Sequence, residues 1–307
     1  MAVVVTGAAG FIAGHLVAQL RGAGETVIGI DRRDMSQAPG LQPLIADLSD
    51  PCDEAVEALR TADAVFHLAG CPGVRDRSPD VQWRRRRDNV LSTEQVLRHV
   101  PRGTPLVVAS SSSVYGGSDG RPCREDFPLR PRGGYAQSKL EMEHHCAAQR
   151  ERGALVVTAR FFTVAGERQR PDMGLAGWIR AGLEGRAVPV FGDLSRSRDL
   201  VDVLDLVAAV RALADRGVPG TVNIGTGQAH SLGQMLDALR DALDRPITVT
   251  RHPVDADDPN ATLADPTHLH SLTGLRPRTD IRALIRRQVV AALRDADAQP
   301  AATVTGR

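Results

Sequence analysis

At 307 residues the chain has room for one large domain or two modest ones, and 42% hydrophobic with 24% charged residues is the balance of a globular protein. Its 38 basic and 37 acidic residues leave a formal net charge of +1, so no global field draws it to nucleic acid or an anionic membrane, and neither is expected as a partner. No apolar run approaches the roughly 18 residues of a bilayer span, and a strand-like run follows Met1 with no charged leader, which predicts a cytoplasmic protein.

The first predicted strand is AVVVT (Ala2–Thr6), and FIAGHLVAQLRGAG behind it has helical spacing and stops on glycine. TGAAGFIAG (Thr6–Gly14) spans the junction. Gly7 and Gly10 let the backbone turn tightly and approach a pyrophosphate, while Phe11 and Ile12 open a helix whose N–H groups and partial positive charge would receive it. The spacing is GxxGxxA, with Ala13 where a third glycine would stand. TVIGID (Thr26–Asp31) is the second strand. A carboxylate at Asp31 can accept from both adenosine ribose hydroxyls and would repel a 2′-phosphate, which favours NAD; Arg32 and Arg33 directly after it keep NADP open.

PLIAD, AVFHLA (Ala64–Ala69), PLVVASS (Pro105–Ser111) and LVVTARF (Leu155–Phe161) continue the strands, with helix-like segments near 52–60, 80–100 and 134–152. Strands apolar on both faces and alternating with helices imply a parallel sheet covered on both sides. His67, at a strand end, is expected to pack, and the RRRR run (Arg84–Arg87) reads as a solvated helix face. Beyond residue 165 Gly and Pro become frequent, and helices near 174–185, 201–215, 231–244 and 281–297 are separated by short strands. The fold class is therefore α/β: a Rossmann-like doubly wound parallel sheet over 1–165, rejoined by the chain around 198–225. A smaller α/β C-terminal portion covers 166–297, and 298–307 is a flexible tail. Cys52, Cys71, Cys123 and Cys146 are scattered without metal-ligand spacing and read as reduced thiols, so no metal is expected.

One lysine stands among the 38 basic residues, leaving 37 arginines, and it is Lys139 in YAQSK (Tyr135–Lys139). On a helix Tyr135 and Lys139 share a face. SSSSVYG (Ser110–Gly116) precedes them at a strand end. With GxxGxxA, Asp47-Leu48 after the third strand, LAGCPGVR, NVLSTEQVL, RFFTVAGERQRPDM, PVFGD, SRD, VNIGTG and TLAD in order, the chain resembles the extended short-chain dehydrogenases/reductases, in their nucleotide-sugar epimerase/dehydratase branch, from about Val3 to about Leu293.

The chemistry of such a site accounts for the lysine. A free tyrosine titrates near pH 10, and a base at pH 7 needs that value about 3 units lower, roughly 4 kcal/mol of preferential stabilisation of the phenolate. Lysine offers a compact cation that can also bond the nicotinamide ribose, where arginine's planar fork would not fit. The resemblance implies Tyr135, Lys139 and Ser111 as catalytic. It implies NAD bound by Gly7, Gly10, Phe11, Ile12, Asp31, Arg32, Asp47, Leu48, Leu68, Ala69, Gly70, Asn89, Tyr135, Lys139 and Phe162. It places the sugar nucleotide against Gly73, Arg75, Ser111, Ser112, Ser113, Tyr135, Thr163, Arg170, Val190 and Arg198.

Ser112 and Ser113 stand where sugar dehydratases and uronate decarboxylases carry acids, which leaves 4-epimerisation. RFFTV followed by RPDM is similar to UDP-glucuronate 4-epimerases, where the threonine and later arginine lie near the sugar carboxylate; Arg170 bonding only diphosphate is the alternative. Ala165-Gly166-Glu167, Asp202 and Ala261 depart from the family's usual residues. The expected activity is UDP-glucuronate 4-epimerisation, with UDP-glucose or UDP-N-acetylhexosamine epimerisation and net dehydration, decarboxylation or reduction as alternatives. A non-catalytic dinucleotide sensor would tend to lose the Tyr/Lys pair. The resemblance also implies a homodimer through the helices near 89–99 and 136–152.

Overall fold

A computed structural model describes residues 1–35, 41–73 and 76–298. In chain order the elements are β1 (Ala2–Thr6), α1 (Phe11–Gly22), β2 (Thr26–Asp31), β3 (Leu41–Ile45), α2 (Asp53–Thr61), β4 (Ala64–His67), α3 (Val81–Arg85), α4 (Ser92–His99), β5 (Leu106–Ser111), α5 (Gly133–Glu151), β6 (Val156–Phe161) and β7 (Thr163–Ala165). They continue with α6 (Gly174–Leu183), β8 (Val188–Phe191), β9 (Ser197–Asp202), α7 (Val203–Arg216), β10 (Gly220–Ile224), β11 (Ala229–Ser231), α8 (Leu232–Leu243), β12 (Val249–His252), α9 (Thr267–Thr273) and α10 (Ile281–Ala298). Arg75 and the tail beyond 298 lie outside the described residues.

Seven strands form a parallel sheet in the order β10-β6-β5-β4-β1-β2-β3. Strand order reverses between β1 and β4, and an open α/β sheet binds ligands outside the carboxyl ends of its strands at such a point. One apolar core fills the face under α1 and α7, around Leu16, Leu20, Leu206 and Val210. A second fills the face under α2, α4 and α5, around Leu59, Val96, Met142 and Cys146. A third, around Trp178, Leu239 and Ile285, holds the C-terminal helices against β8. Two small sheets, β11-β9-β7 and β12-β8, sit beside the large one.

A π-helical turn, Arg86–Leu91, interrupts the helix expected across 80–100. The arginine run that opens it departs from a solvated face. Arg85 is 2% exposed, and its Nη2 donates to the carbonyls of Gly73 (2.7 Å) and Asp76 (3.3 Å). Arg84 pairs with Asp76 and Asp80. Arg86 pairs with Glu141, and Arg87 pairs with Asp88 beneath the Trp83 ring. The solvated-face reading thus fails at the buried Arg85, while Arg86 remains exposed.

Candidate active site

The turn from β1 into α1 has the shape a dinucleotide diphosphate requires. Gly7 is left-handed (φ 65°), and a Cβ there would stand 2.8 Å from the Ala69 backbone. A Cβ on Gly10 would meet the Gly7 carbonyl at 2.9 Å. The first turn of α1 carries no acidic residue to compete with an anion. Asp31 accepts from the Ala9 (3.1 Å) and Arg33 (3.0 Å) amides, which fixes its carboxylate at the β2 end. Arg32 turns away, donating to Asp88 at 2.9 Å with Asp47 at 3.7 Å, so two carboxylates occupy the cation that could have served a 2′-phosphate. These features fit NAD. Asp47 also accepts from Ser49, and Leu48 is buried.

His67 packs, as its position suggested. Its ring lies between Thr6 Oγ1 (2.8 Å) and Thr93 Oγ1 (2.9 Å). Thr93 spends its proton on the Asn89 carbonyl, so His67 Nε2–H donates to Thr93 and Nδ1 accepts from Thr6. Burial, with the Lys139 charge nearby, lowers its pKa to about 3 and keeps it neutral. Thr6 Oγ1 receives the Ala69 amide, which ties the Leu68–Gly70 stretch to β1. Asn89 uses its whole amide on protein: Oδ1 accepts from Cys71 N (2.8 Å), and Nδ2 donates to Cys71 O (3.1 Å) and Ser138 Oγ (2.9 Å). Its side chain clamps the loop after β4 to α5, and a Cβ on Gly70 would stand 2.6 Å from it.

Tyr135 and Lys139 lie one turn apart on α5. The Ser111 hydroxyl, at the β5 end, is within hydrogen-bonding reach of the Tyr135 hydroxyl. Burial raises the Tyr135 pKa, and the Ser111 bond and the Arg170 charge oppose that rise. Lys139 is buried, and its Nζ donates to the Ala109 carbonyl at 2.9 Å. Burial lowers its pKa to about 8. Ser111 also accepts from the Ser113 amide, which starts the 3-10 turn Ser112–Tyr115. Ser112 is buried, and the Ser113 hydroxyl is buried without a hydrogen-bond partner among the described residues.

The other expected residues divide. Phe162 is buried beside the Tyr115 ring, and Thr163 is half-buried at the start of β7. Arg170 forms a two-pronged pair with Asp172 (2.9 and 2.8 Å). Arg198 donates to Asp258 Oδ1 at 2.7 Å. Val190 is fully buried in the C-terminal core, leaving only its main chain for a ligand. Gly73 has φ 111° and its carbonyl is held by Arg85.

Sequence reasoning missed the cluster beneath the site. Arg160 binds Glu143 through Nε (3.0 Å) and Nη2 (2.7 Å), and its Nη1 donates to the Tyr115 hydroxyl (2.8 Å). Ser110 Oγ donates to Glu143 at 2.5 Å, and Tyr115 donates to Asn223. The available signal was Glu143 standing four residues after Lys139, on the same helix face.

Residues 3–225 match the model of the NAD dependent epimerase/dehydratase family. An uncharacterized UDP-glucose epimerase of Bacillus subtilis strain 168, YtcB, is 31% identical, with 92% of this chain and 95% of that protein covered. MoeE5, solved with UDP-glucuronic acid and NAD, is 38% identical at a TM-score of 0.87, covering 96% of this chain and 100% of that one. The UDP-glucuronic acid 4-epimerase of Bacillus cereus, solved with the same two ligands, is 27% identical at a TM-score of 0.89, covering 96% and 99%. With that family match and the glycine turn, the Asp31 carboxylate and the Ser111, Tyr135 and Lys139 side chains in place, the chain belongs to the NAD-dependent nucleotide-sugar epimerases and dehydratases.

Proposed function

We propose that the protein is a nucleotide-sugar 4-epimerase that converts UDP-glucuronate to UDP-galacturonate. The observation that carries the reading is the make-up of the β5 end. Ser111, Tyr135 and Lys139 converge there, while the adjacent Ser112 and Ser113 offer no carboxyl group for proton chemistry elsewhere on the sugar. Gly7, Gly10, Phe11, Ile12 and Asp31 would hold NAD, with Lys139 on its nicotinamide ribose. Bound there, it supplies the acceptor that takes a hydride from C4 and gives it back to the opposite face. Tyr135 Oη takes the proton of the 4-hydroxyl and later returns it, and Ser111 orients that hydroxyl. The Ser111 hydrogen bond and the Arg170 charge favour the phenolate. Arg198 would take the substrate diphosphate.

A 4-keto uronate is a β-keto acid and loses CO2 when its carboxylate bond lies parallel to the ketone π system. Charge-assisted hydrogen bonds are the strong means of holding it out of that plane. Arg170, Thr163, Ser112 and the Ser113 hydroxyl, which has no hydrogen-bond partner among the described residues, are the donors for it. MoeE5 having been solved with UDP-glucuronic acid supports the uronate. The test is incubation with UDP-glucuronate, UDP-glucose and UDP-N-acetylglucosamine, products resolved chromatographically. UDP-galacturonate with little pentose is expected, and Arg170→Ala should raise the pentose share. Turnover of UDP-glucose with UDP-glucuronate ignored would sink the uronate reading and leave the Tyr135–Lys139 mechanism standing.

A further inference from the structure

The residues at 165–167 and 202, which depart from the family pattern, form one assembly. Arg287 of α10 donates through Nε to Glu167 (3.0 Å) and through Nη2 to Asp202 (2.6 Å). His15 of α1 donates through Nε2 to the Glu167 carbonyl at 2.8 Å. Gly166 packs so closely that a Cβ there would stand 2.3 Å from Val203 Cγ1. The loop after β7 is thus held from α1 on one side and α10 on the other.

The next residue takes the strain of this arrangement. Arg168 has φ 62°, a left-handed backbone unfavourable for a residue with a Cβ. Its guanidinium lies against the first turns of α1: a Cβ built on Gly14 would be 3.6 Å from Nη1 and 3.8 Å from Cζ and Nη2. The side chain is exposed and makes no hydrogen bond or ion pair among the described residues. The start of a helix carries a partial positive charge, which a guanidinium beside it does not complement and a bound anion would. Gly14 stands three residues beyond Phe11, about 4.5 Å down the helix axis, within the span of an arginine side chain.

We propose that Arg168 is a side-chain ligand of the dinucleotide's diphosphate, held in place by the Glu167–Arg287–Asp202 assembly. Main-chain amides at the glycine turn would take one side of the diphosphate and the guanidinium would close over another, as a planar fork suits phosphate oxygens. The proposal is independent of which sugar the enzyme uses.

The experiment measures binding of ADP-ribose and of adenosine to cofactor-stripped protein by calorimetry, alongside thermal denaturation. Arg168→Gly should weaken ADP-ribose roughly tenfold, about the worth of one charge-assisted hydrogen bond, and leave adenosine unchanged. Its ligand-free melting temperature should hold or rise, because glycine relieves the left-handed backbone. Arg287→Met, which unhooks the loop but keeps Arg168, should give a smaller loss confined to ADP-ribose. Unchanged ADP-ribose affinity in Arg168→Gly would overturn the assignment. So would an equal loss for adenosine, which would mark the loop as a general support of the nucleotide pocket.

Discussion

A lysine buried with no ion pair among the described residues is a cost that chemistry has to justify. Lys139 spends a hydrogen bond on the Ala109 carbonyl and is held near pH 8 by burial, against about 10.4 for a free lysine. Between those values the unfolded chain binds the proton more tightly than the folded one. The penalty is therefore full below pH 8 and fades as pH rises toward the unfolded value. Lys139→Met should raise the melting temperature at pH 7 by a few degrees, with the gap closing near pH 10, while abolishing turnover. A lower melting temperature at pH 7 would mean that the buried cation stabilises the fold. Lys139→Arg keeps charge and fold but should lose most activity, because the fork cannot serve both ribose and tyrosine; activity within about threefold of the parent would refute that reason. Of the site, this pair was the most legible part, since a lone lysine four residues after a tyrosine is visible without any structure. Arg85 and Arg160 were illegible for the converse reason. Composition treats arginine as solvated, and only packing reveals a guanidinium turned inward onto carbonyls or Glu143.

At the scale of the element, α5 joins the chemistry to the sheet. Tyr135, Lys139 and Glu143 recur every four residues along one face, and Glu143 anchors the helix to β5 through Ser110 and to β6 through Arg160. Both members of the ion pair are about 95% buried, with side-chain exposures of 5% and 6%. Removing one partner leaves an unpaired buried charge. Arg160→Met should cost about 3–5 kcal/mol, and adding Glu143→Leu should recover most of it. Urea denaturation of the single and double variants checks this, and a double variant as unstable as the single would show that shape, not charge, was lost. Strand and helix alternation was readable because a parallel sheet prints apolar runs at regular spacing. The π-helical turn at 86–91 was not, because a 3.6-residue period cannot register one extra residue. Its consequence is local: the turn carries Asn89, whose amide clamps Cys71 and Ser138. The convergence of the loop after β4 with the residues from 255 to 260 is likewise a product of tertiary closure.

In the whole molecule that closure is electrostatic and crosses the chain. Arg77, in the segment after β4, donates to Asp255 (2.5 Å) and Asp257 (3.3 Å), residues that precede the Arg196 and Arg198 partner Asp258. The two segments are 178 and 180 residues apart in sequence and meet outside the Tyr135 end of α5, where a Cβ on Gly133 would stand 2.4 Å from Asp257 Oδ2. Arg77 is 58% exposed, so screening makes the bridge a weak contributor to global stability. Its effect should instead appear in how long a substrate is retained. Arg77→Ala should leave the melting temperature within about 2 °C of the parent and the bound NAD content unchanged. The KM for the nucleotide sugar should rise roughly three- to tenfold with a smaller change in kcat. Because the bridge is ionic, added salt should raise the parent's KM toward that of the variant and move the variant's much less. Steady-state kinetics at about 20 mM and 500 mM salt decide the matter. Parallel salt responses in both proteins would show that the bridge plays no part in retaining the substrate.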